Sequence, residues 1–288
     1  MTTPVVVGVD GSEPSRRAME WAAQAAMTRD LPLALLYATR FTGPLVDDGY
    51  PIGEVEAAGH EILNAAKAQV ADRFPDLVCT TEFAHEDPAA ALVDASAQAA
   101  LVVVGNRGHG GFHDLLLGST SLHTAMHAYG PVAVVRPTVA RDGGAAGRIV
   151  VGVDGSEHGR VALQLAFAEA QLTGRPITAA YAYVGTLTGY RSPFMPHVPD
   201  PETERQRAAD FLAGELRFWR AQHPSVGVDE VVTPGSASAV LVRLSRGAHL
   251  AVVGSRGRGG FAGLMFGSTG HALIHHAGCP VLVAHHPK

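Results

Sequence analysis

Residues 5–12 read VVVGVDGS, and IVVGVDGS returns at 149–156, an offset of 144. The offset is still 144 between LPLALLYA (31–38) and RPITAAYA (175–182). It has become 149 where GNRGHGGFHDLLLGST (105–120) meets GSRGRGGFAGLMFGST (254–269), and it holds from GPVAVV (130–135) to CPVLVA (279–284). A chain that repeats itself at this period builds one kind of unit twice, so the fold has to be solved for one half only. Two domains are expected, at 1–138 and 148–288, with a linker over about 139–147 whose Gly-Ala run suits neither helix nor strand. The second half carries five extra residues, somewhere between about 183 and 233.

Within each half, short β-branched runs alternate with longer helical patterns. Strands are expected near 4–9, 32–38, 78–84, 100–105 and 131–135, and near 149–153, 176–182, 227–232, 249–253 and 280–284. Helices fill the gaps of the first half, at about 14–28, 54–73, 88–97 and 119–128. Ser12 is placed to cap the first helix, with Pro14 in its first turn. Near-continuous apolar strands alternating with helices specify a parallel sheet covered on both faces. The fold class expected is therefore α/β: two tandem doubly wound, Rossmann-like domains, each a five-stranded parallel sheet. Ligands of such sheets bind outside the carboxyl ends of the strands, where the strand order reverses. The loops after strands 1 and 4 fall there.

The loop after strand 4 is Gly105-x2-Gly108-x9-Gly118-Ser119 in the first half and Gly254-x2-Gly257-x9-Gly267-Ser268 in the second. Each follows an apolar strand and runs into what reads as a helix start. Unpaired N–H groups and the positive end of the helix dipole suit phosphate oxygens there. One such stretch is accounted for by a tight turn and an ordinary cap, but two copies in the same context point to anion binding. The hydroxyls of Ser119, Thr120, Ser268 and Thr269 are candidate extra donors. Asp10 and Asp154 end the first strand of each half. They are expected either to close an Asx-turn or, since a carboxylate repels phosphate, to accept from a ribose hydroxyl or a base amino group. Gly8, Val9, Gly152 and Val153 would flank the base, and Ala38 and Ala182 leave room for a ring.

Much else is excluded. No Gly-x4-Gly-Lys-Ser/Thr, no dinucleotide fingerprint and no Gly-x-Ser-x-Gly elbow occurs, and no carboxylate–base constellation suggests a catalyst. The net charge is −5 without a basic run, so nucleic acid is not an expected partner. Of 22 cationic residues only Lys67 and Lys288 are lysines, leaving 20 arginines as possible side-chain contacts to phosphate. No apolar run approaches a membrane span and the N-terminal stretch lacks a signal pattern, so a cytoplasmic protein with reduced Cys79 and Cys279 is expected. The histidine pairs His123/His127 and His271/His275 do not align across the repeat, and a packing role is expected in preference to metal ligation.

Taken in order, VVVGVDGS, GNRGHGGFHDLLLGST and GPVAVVRP resemble the universal stress protein family, and IVVGVDGS, GSRGRGGFAGLMFGST and CPVLVAHHP repeat the match. The resemblance is to the tandem-domain type and covers nearly the whole chain. It implies an adenine nucleotide, ATP with or without Mg²⁺, in each domain. Asp10 and Asp154 would lie at the adenosine. The phosphates would be wrapped by Gly105, Asn106, Arg107, Gly108, His109, Gly110 and Gly111 in the first half. Gly254, Ser255, Arg256, Gly257, Arg258, Gly259 and Gly260 would do so in the second. Gly118-Ser119-Thr120 and Gly267-Ser268-Thr269 would close the cradles. The resemblance further implies a stress-response regulator acting through nucleotide-dependent conformation or assembly, with slow ATP hydrolysis or phosphotransfer, or a plain scaffold role, as alternatives. Pro131 and Pro280 start the last strands as edge strands do, and the family pairs through that edge. An internal pseudo-dimer, with or without a further homodimer, is thus expected. The Pro- and Gly-rich stretch 184–206 is either a lid or, as favoured, a surface crossover.

Overall fold

The computed structural model describes residues 3–40, 52–108, 116–139, 145–183, 200–258 and 266–286. They group into two compact units, Met1–Pro137 with Pro280–Lys288, and Thr138–Cys279. The first unit runs β1 (Val5–Gly8), α1 (Glu13–Arg29), β2 (Leu33–Ala38), α2 (Ile52–Arg73), β3 (Cys79–Ala84), α3 (Pro88–Ala95), β4 (Leu101–Gly105), α4 (Ser119–His127), β5 (Val132–Val135). Parallel ladders join β3 to β2, β2 to β1, β1 to β4 and β4 to β5, so the strand order reverses between β1 and β4. The second unit runs β6 (Ile149–Gly152), α5 (Glu157–Thr173), β7 (Ile177–Tyr183), α6 (Pro201–Gln222), β8 (Val228–Pro234), α7 (Ala237–Leu244), β9 (Leu250–Gly254), α8 (Ser268–His276). Its parallel order is β8-β7-β6-β9. The last strand, β10 (Val281–Ala284), is grouped with the first unit and pairs antiparallel with β5, Leu282 opposite Ala133.

The central strands are apolar throughout because helices cover both faces: Val5, Val7, Val103, Ile149 and Val151 are fully buried. Ser12 and Ser156 start α1 and α5 from extended backbone, their hydroxyls accepting from the amides of Ser15 and Gly159. The two helices end in left-handed residues, Asp30 and Gly174. Ala18, Ala22, Ala23 and Ala26 form the buried stripe of α1, and small side chains at this spacing let the helix lie close to the sheet.

Because β7 still answers β2 at the offset 144 while α6 answers α2 at 149, the five extra residues fall between Tyr183 and Pro201. Most of the expected lid, 184–199, lies outside the described residues; its end forms the cap and first turns of α6, with Asp200 Oδ2 accepting from Thr203 N. The end of the linker packs on the second unit, where Gly147 donates to Gly247 O and accepts from Arg175. Among the described residues no helix is long and apolar enough to cross a membrane. Neither cysteine is in a disulfide; Cys279 is fully buried and Cys79 half-buried, with burial pushing the Cys79 thiol up.

Candidate functional site: two phosphate-type cradles

The carboxyl ends of β1 and β6 open into Asp-Gly-Ser turns. Gly11 and Gly155 sit at φ 81° and 73°, left-handed backbone that favours glycine. Asp10 Oδ1 accepts from Ser12 N at 2.9 Å, and Asp154 Oδ1 accepts from Ser156 N at 2.9 Å and from the Ser156 hydroxyl at 2.7 Å. The Asx-turn is thus real in both halves, yet it leaves the second carboxylate oxygen for other work. Asp154 Oδ2 accepts from Arg258 N at 3.1 Å, across 104 residues of chain. It also lies 2.7 Å from where a Cβ on Gly257 would stand, and Asp10 Oδ2 would collide with a Cβ on Gly108. Each aspartate therefore lies against the glycine segment, and Asp154 is hydrogen-bonded to it. A carboxylate offers about four lone-pair sites, so Asp154, with three filled, keeps one for a ligand donor.

The glycine segments are anchored at both ends. Gly105 and Gly254 are backed by the main chain of Pro14 and His158, with 2.8 Å to a would-be Cβ in each case. Gly118 N donates to Asn106 O and Gly267 N to Ser255 O, both at 2.8 Å, closing each segment at its base. Asn106 and Ser255 are buried and hold this closure; neither lines the cavity of its unit described below. His109, Gly110, Gly111, Gly259 and Gly260 lie outside the described residues.

The helices that follow begin from glycine, whereas α7, which also lacks a side-chain cap bond, begins from Ser236. Side-chain oxygens of Ser12, Asp87, Ser156 and Asp200 cap α1, α3, α5 and α6. Gly118 and Gly267 cap α4 and α8 with extended backbone and no side-chain hydrogen bond. Their first-turn N–H groups have no partner within the helix, and the first-turn residues line a pocket. That pocket is a cavity in each unit, ≈ 380 Å³ in the first and ≈ 510 Å³ in the second, within the range of small-molecule sites.

Of the residues singled out from sequence, Gly8, Val9, Asp10, Ala38, Gly105, Arg107, Gly108, Gly118, Ser119 and Thr120 line the first cavity. Gly152, Val153, Asp154, Ala182, Gly254, Arg256, Gly257, Arg258, Gly267, Ser268 and Thr269 line the second. Sequence reasoning missed the apolar wall given by Leu36 and Leu92, answered by Ala180 and Leu241, and the aromatic Tyr181, Tyr183 and Phe266 of the second cavity. A signal for the leucines existed. Both first strands end in glycine, and the Leu92 and Leu241 methyls stand 3.2 and 2.7 Å from the Cβ those glycines lack. Beside the first cavity, burial and the nearby Asp10 charge raise the Tyr37 hydroxyl above its ordinary value. The paired histidines stack on each other, His123 on His127 at 4.0 Å and His271 on His275 at 4.4 Å between ring centroids. Among the described residues no group of three or more His, Cys, Asp or Glu is placed to hold a metal.

Each unit thus has a glycine-lined cavity at the point where the strand order of its doubly wound sheet reverses, the place where sheets of this kind take ligands. The universal stress protein family model matches residues 1–136 and again 146–285, and the chain belongs to that family. It is 34% identical to a universal stress protein of Mycolicibacterium smegmatis, over 97% of this chain and 96% of the relative. It is equally identical to one of Mycobacterium tuberculosis, over 99% and 95%. The crystal structure of a universal stress protein from Archaeoglobus fulgidus shares the fold across 98% of both chains, with TM-score 0.68 at 20% identity.

Proposed function

We infer that each cavity binds one adenine nucleotide, and that the protein is a stress-response regulator whose loops or assembly respond to that occupancy. The observation that carries this is the pair of glycine-capped helices, α4 and α8, whose open first turns face cavities already walled by glycine backbone. Phosphate oxygens would take those amides and the hydroxyls of Ser119, Thr120, Ser268 and Thr269, with Arg107 and Arg256 adding charge-assisted bonds. The base would lie against Val9, Leu36 and Leu92, or against Val153 and Leu241, where the wall is apolar. The free acceptor site of Asp154 suits one ribose or amino donor. ATP fits this donor set, and a Mg²⁺ ion would be held by its phosphates, since no described side-chain cluster is built for a metal. The nucleotide's phosphates supply the charge that the cradle reads, while the chain's own groups bind, orient and shield it. Internal pairing of the two repeats, through their last strands, belongs to the same reading and is supported by the antiparallel β5–β10 ladder.

The test is denaturation of freshly purified protein and chromatography of what is released. About two adenine nucleotides per chain are expected. No release, together with no calorimetric binding of added ATP, would leave an α/β scaffold and sink the assignment.

A further inference from the structure

The second cavity has a feature that follows from neither the repeat nor the glycine motif. Arg258, the first residue after Gly257, is held at two points. Its backbone N–H donates to Asp154 Oδ2 at 3.1 Å, and its guanidinium carbon lies 4.8 Å from the centroid of the Phe211 ring, on α6. Phe211 is itself fixed, its ring 4.6 Å from that of Tyr181, which lines the cavity. Gly155 provides the room: a Cβ there would stand 2.9 Å from Phe211 Cζ and 3.1 Å from Arg258 Nη2. The guanidinium and the ring therefore meet over bare glycine, at the turn that carries Asp154. Aligned through α2 and α6, the position of Phe211 is Ile62 in the first half, which has no ring face to offer.

We propose that Phe211 is a positioning residue for the second cavity: by holding Arg258 in place it sets residues 254–258 in their binding geometry beforehand, so the second cavity takes a nucleotide more tightly than the first. The proposal rests on the nucleotide reading given above. Its physical basis is that ordering the entrance of a cradle before the ligand arrives removes part of the entropy that binding otherwise costs. A cation held over an aromatic face is the device that does so here. Asp154 links the two ends, because the oxygen that takes the Arg258 amide belongs to the residue whose remaining acceptor faces the ligand.

The experiment uses the full chain, with one cavity blocked at a time, by Gly108→Val or by Gly257→Val, and ATP titrated by calorimetry. With the first cavity blocked, ATP should bind more tightly than with the second blocked. Phe211→Leu should then weaken the second cavity by about 2- to 5-fold, the range for an exposed cation–ring contact, and leave the first unchanged. Phe211→Tyr, which keeps the ring, should restore the affinity. A readout without ligand separates positioning from general damage. In the apo protein the Arg258 amide should exchange faster with deuterium in Phe211→Leu than in wild type, while the core amides of β6 and β9 keep their protection. The proposal is overturned by equal effects on both cavities, by an unchanged Arg258 amide, or by a tighter first cavity. If wild type binds two ATP and Phe211→Leu changes nothing, only the positioning role falls. If wild type binds none, the nucleotide reading falls and takes this inference with it.

Discussion

Where Ser15 of the first unit takes the Asp10 amide on its hydroxyl, the second unit has Gly159; where Ser121 donates to Gly105 O at 2.6 Å, the second has Gly270. Leu36 gives way to Ala180, Leu117 to Phe266 and Thr39 to Tyr183. These wall positions have been exchanged, while Val9, Ala38, Leu92 and Val104 keep their type as Val153, Ala182, Leu241 and Val253. Every part that backbone geometry fixes is unchanged: the left-handed glycine after each aspartate, the glycine ending β4 and β9, the N–H to C=O closure at the base of each segment, and the helix start without a side-chain cap. The difference separates what the backbone fixes from what side chains vary. In the reading proposed above, a cradle built from main-chain N–H groups tolerates such changes of wall as long as the glycines stay.

The most direct way to break that comparison is to put side chains into the shared part. Gly108→Val and Gly257→Val each drive a Cβ against the aspartate carboxylate of the same unit. Each should cost its own cavity roughly 100-fold or more in nucleotide affinity, about 2.7 kcal/mol. Each should leave the other cavity and the fold largely intact, as read by calorimetry and circular dichroism. A double variant that binds ATP like wild type would show that the cradle is misassigned. Next in size is Asp154→Asn. Arg258 N and Ser156 N donate to different carboxylate oxygens, so an amide must set its NH₂ against one of them. Leaving such a donor unpaired costs about 1–3 kcal/mol, and a fall of roughly 10-fold in second-site affinity is expected, with the first site unaffected. Smaller again, Ser121→Ala removes a donor from Gly105 O and should lower the stability of the first unit by about 1 kcal/mol. The reciprocal Gly270→Ser does not transplant the bond cleanly, because a Cβ at 270 stands 2.9 Å from the Phe266 ring. Thermal unfolding of the two variants reads the asymmetry.

How much of this was legible follows the same division. The strand and helix limits lie within a few residues of expectation because the repeat states each one twice, and because Ser12, Asp30, Ser156 and Gly174 cap where such residues do. Gly105, Gly108 and Gly118 stand out in the sequence by their spacing, and all three line the first cavity. The dual work of Asp154 was not. Its bond to Arg258 N spans 104 residues, and no local pattern marks it. Asn106 and Ser255 sit inside the motif yet support it from behind, since the motif's spacing cannot say which way a side chain faces. Leu92, Tyr181 and Phe211 come from other elements altogether, brought in by the order in which strands pair. Position in sequence shows the glycine backbone of the cavities well and their side-chain walls poorly, because walls are set by tertiary packing.

The gentlest way to sharpen the comparison is pH, through a residue that only one unit has. His249 precedes β9, and its counterpart before β4 is Ala100. Burial, and then the nearby Arg175 charge, hold its imidazole below the ordinary 6.5. A histidine depressed in the folded state stays neutral there while the unfolded chain takes up protons, so stability falls as pH drops. Its contribution is present above the ordinary value and is lost as pH falls through the lower, folded one. The first unit, with alanine at this position, lacks that loss. Trp219 lies in the second unit and Trp21 in the first, and they are the two tryptophans of the chain. In a Trp21→Phe background, Trp219 fluorescence reports the second unit alone. Its denaturant midpoint should fall below about pH 6.5, and His249→Ala should flatten that fall. The mirror background, Trp219→Phe, follows the first unit through Trp21, where His249→Ala should change nothing. A midpoint that drops equally in both units, with or without His249, would show that acid acts on what the repeats share and not on where they differ.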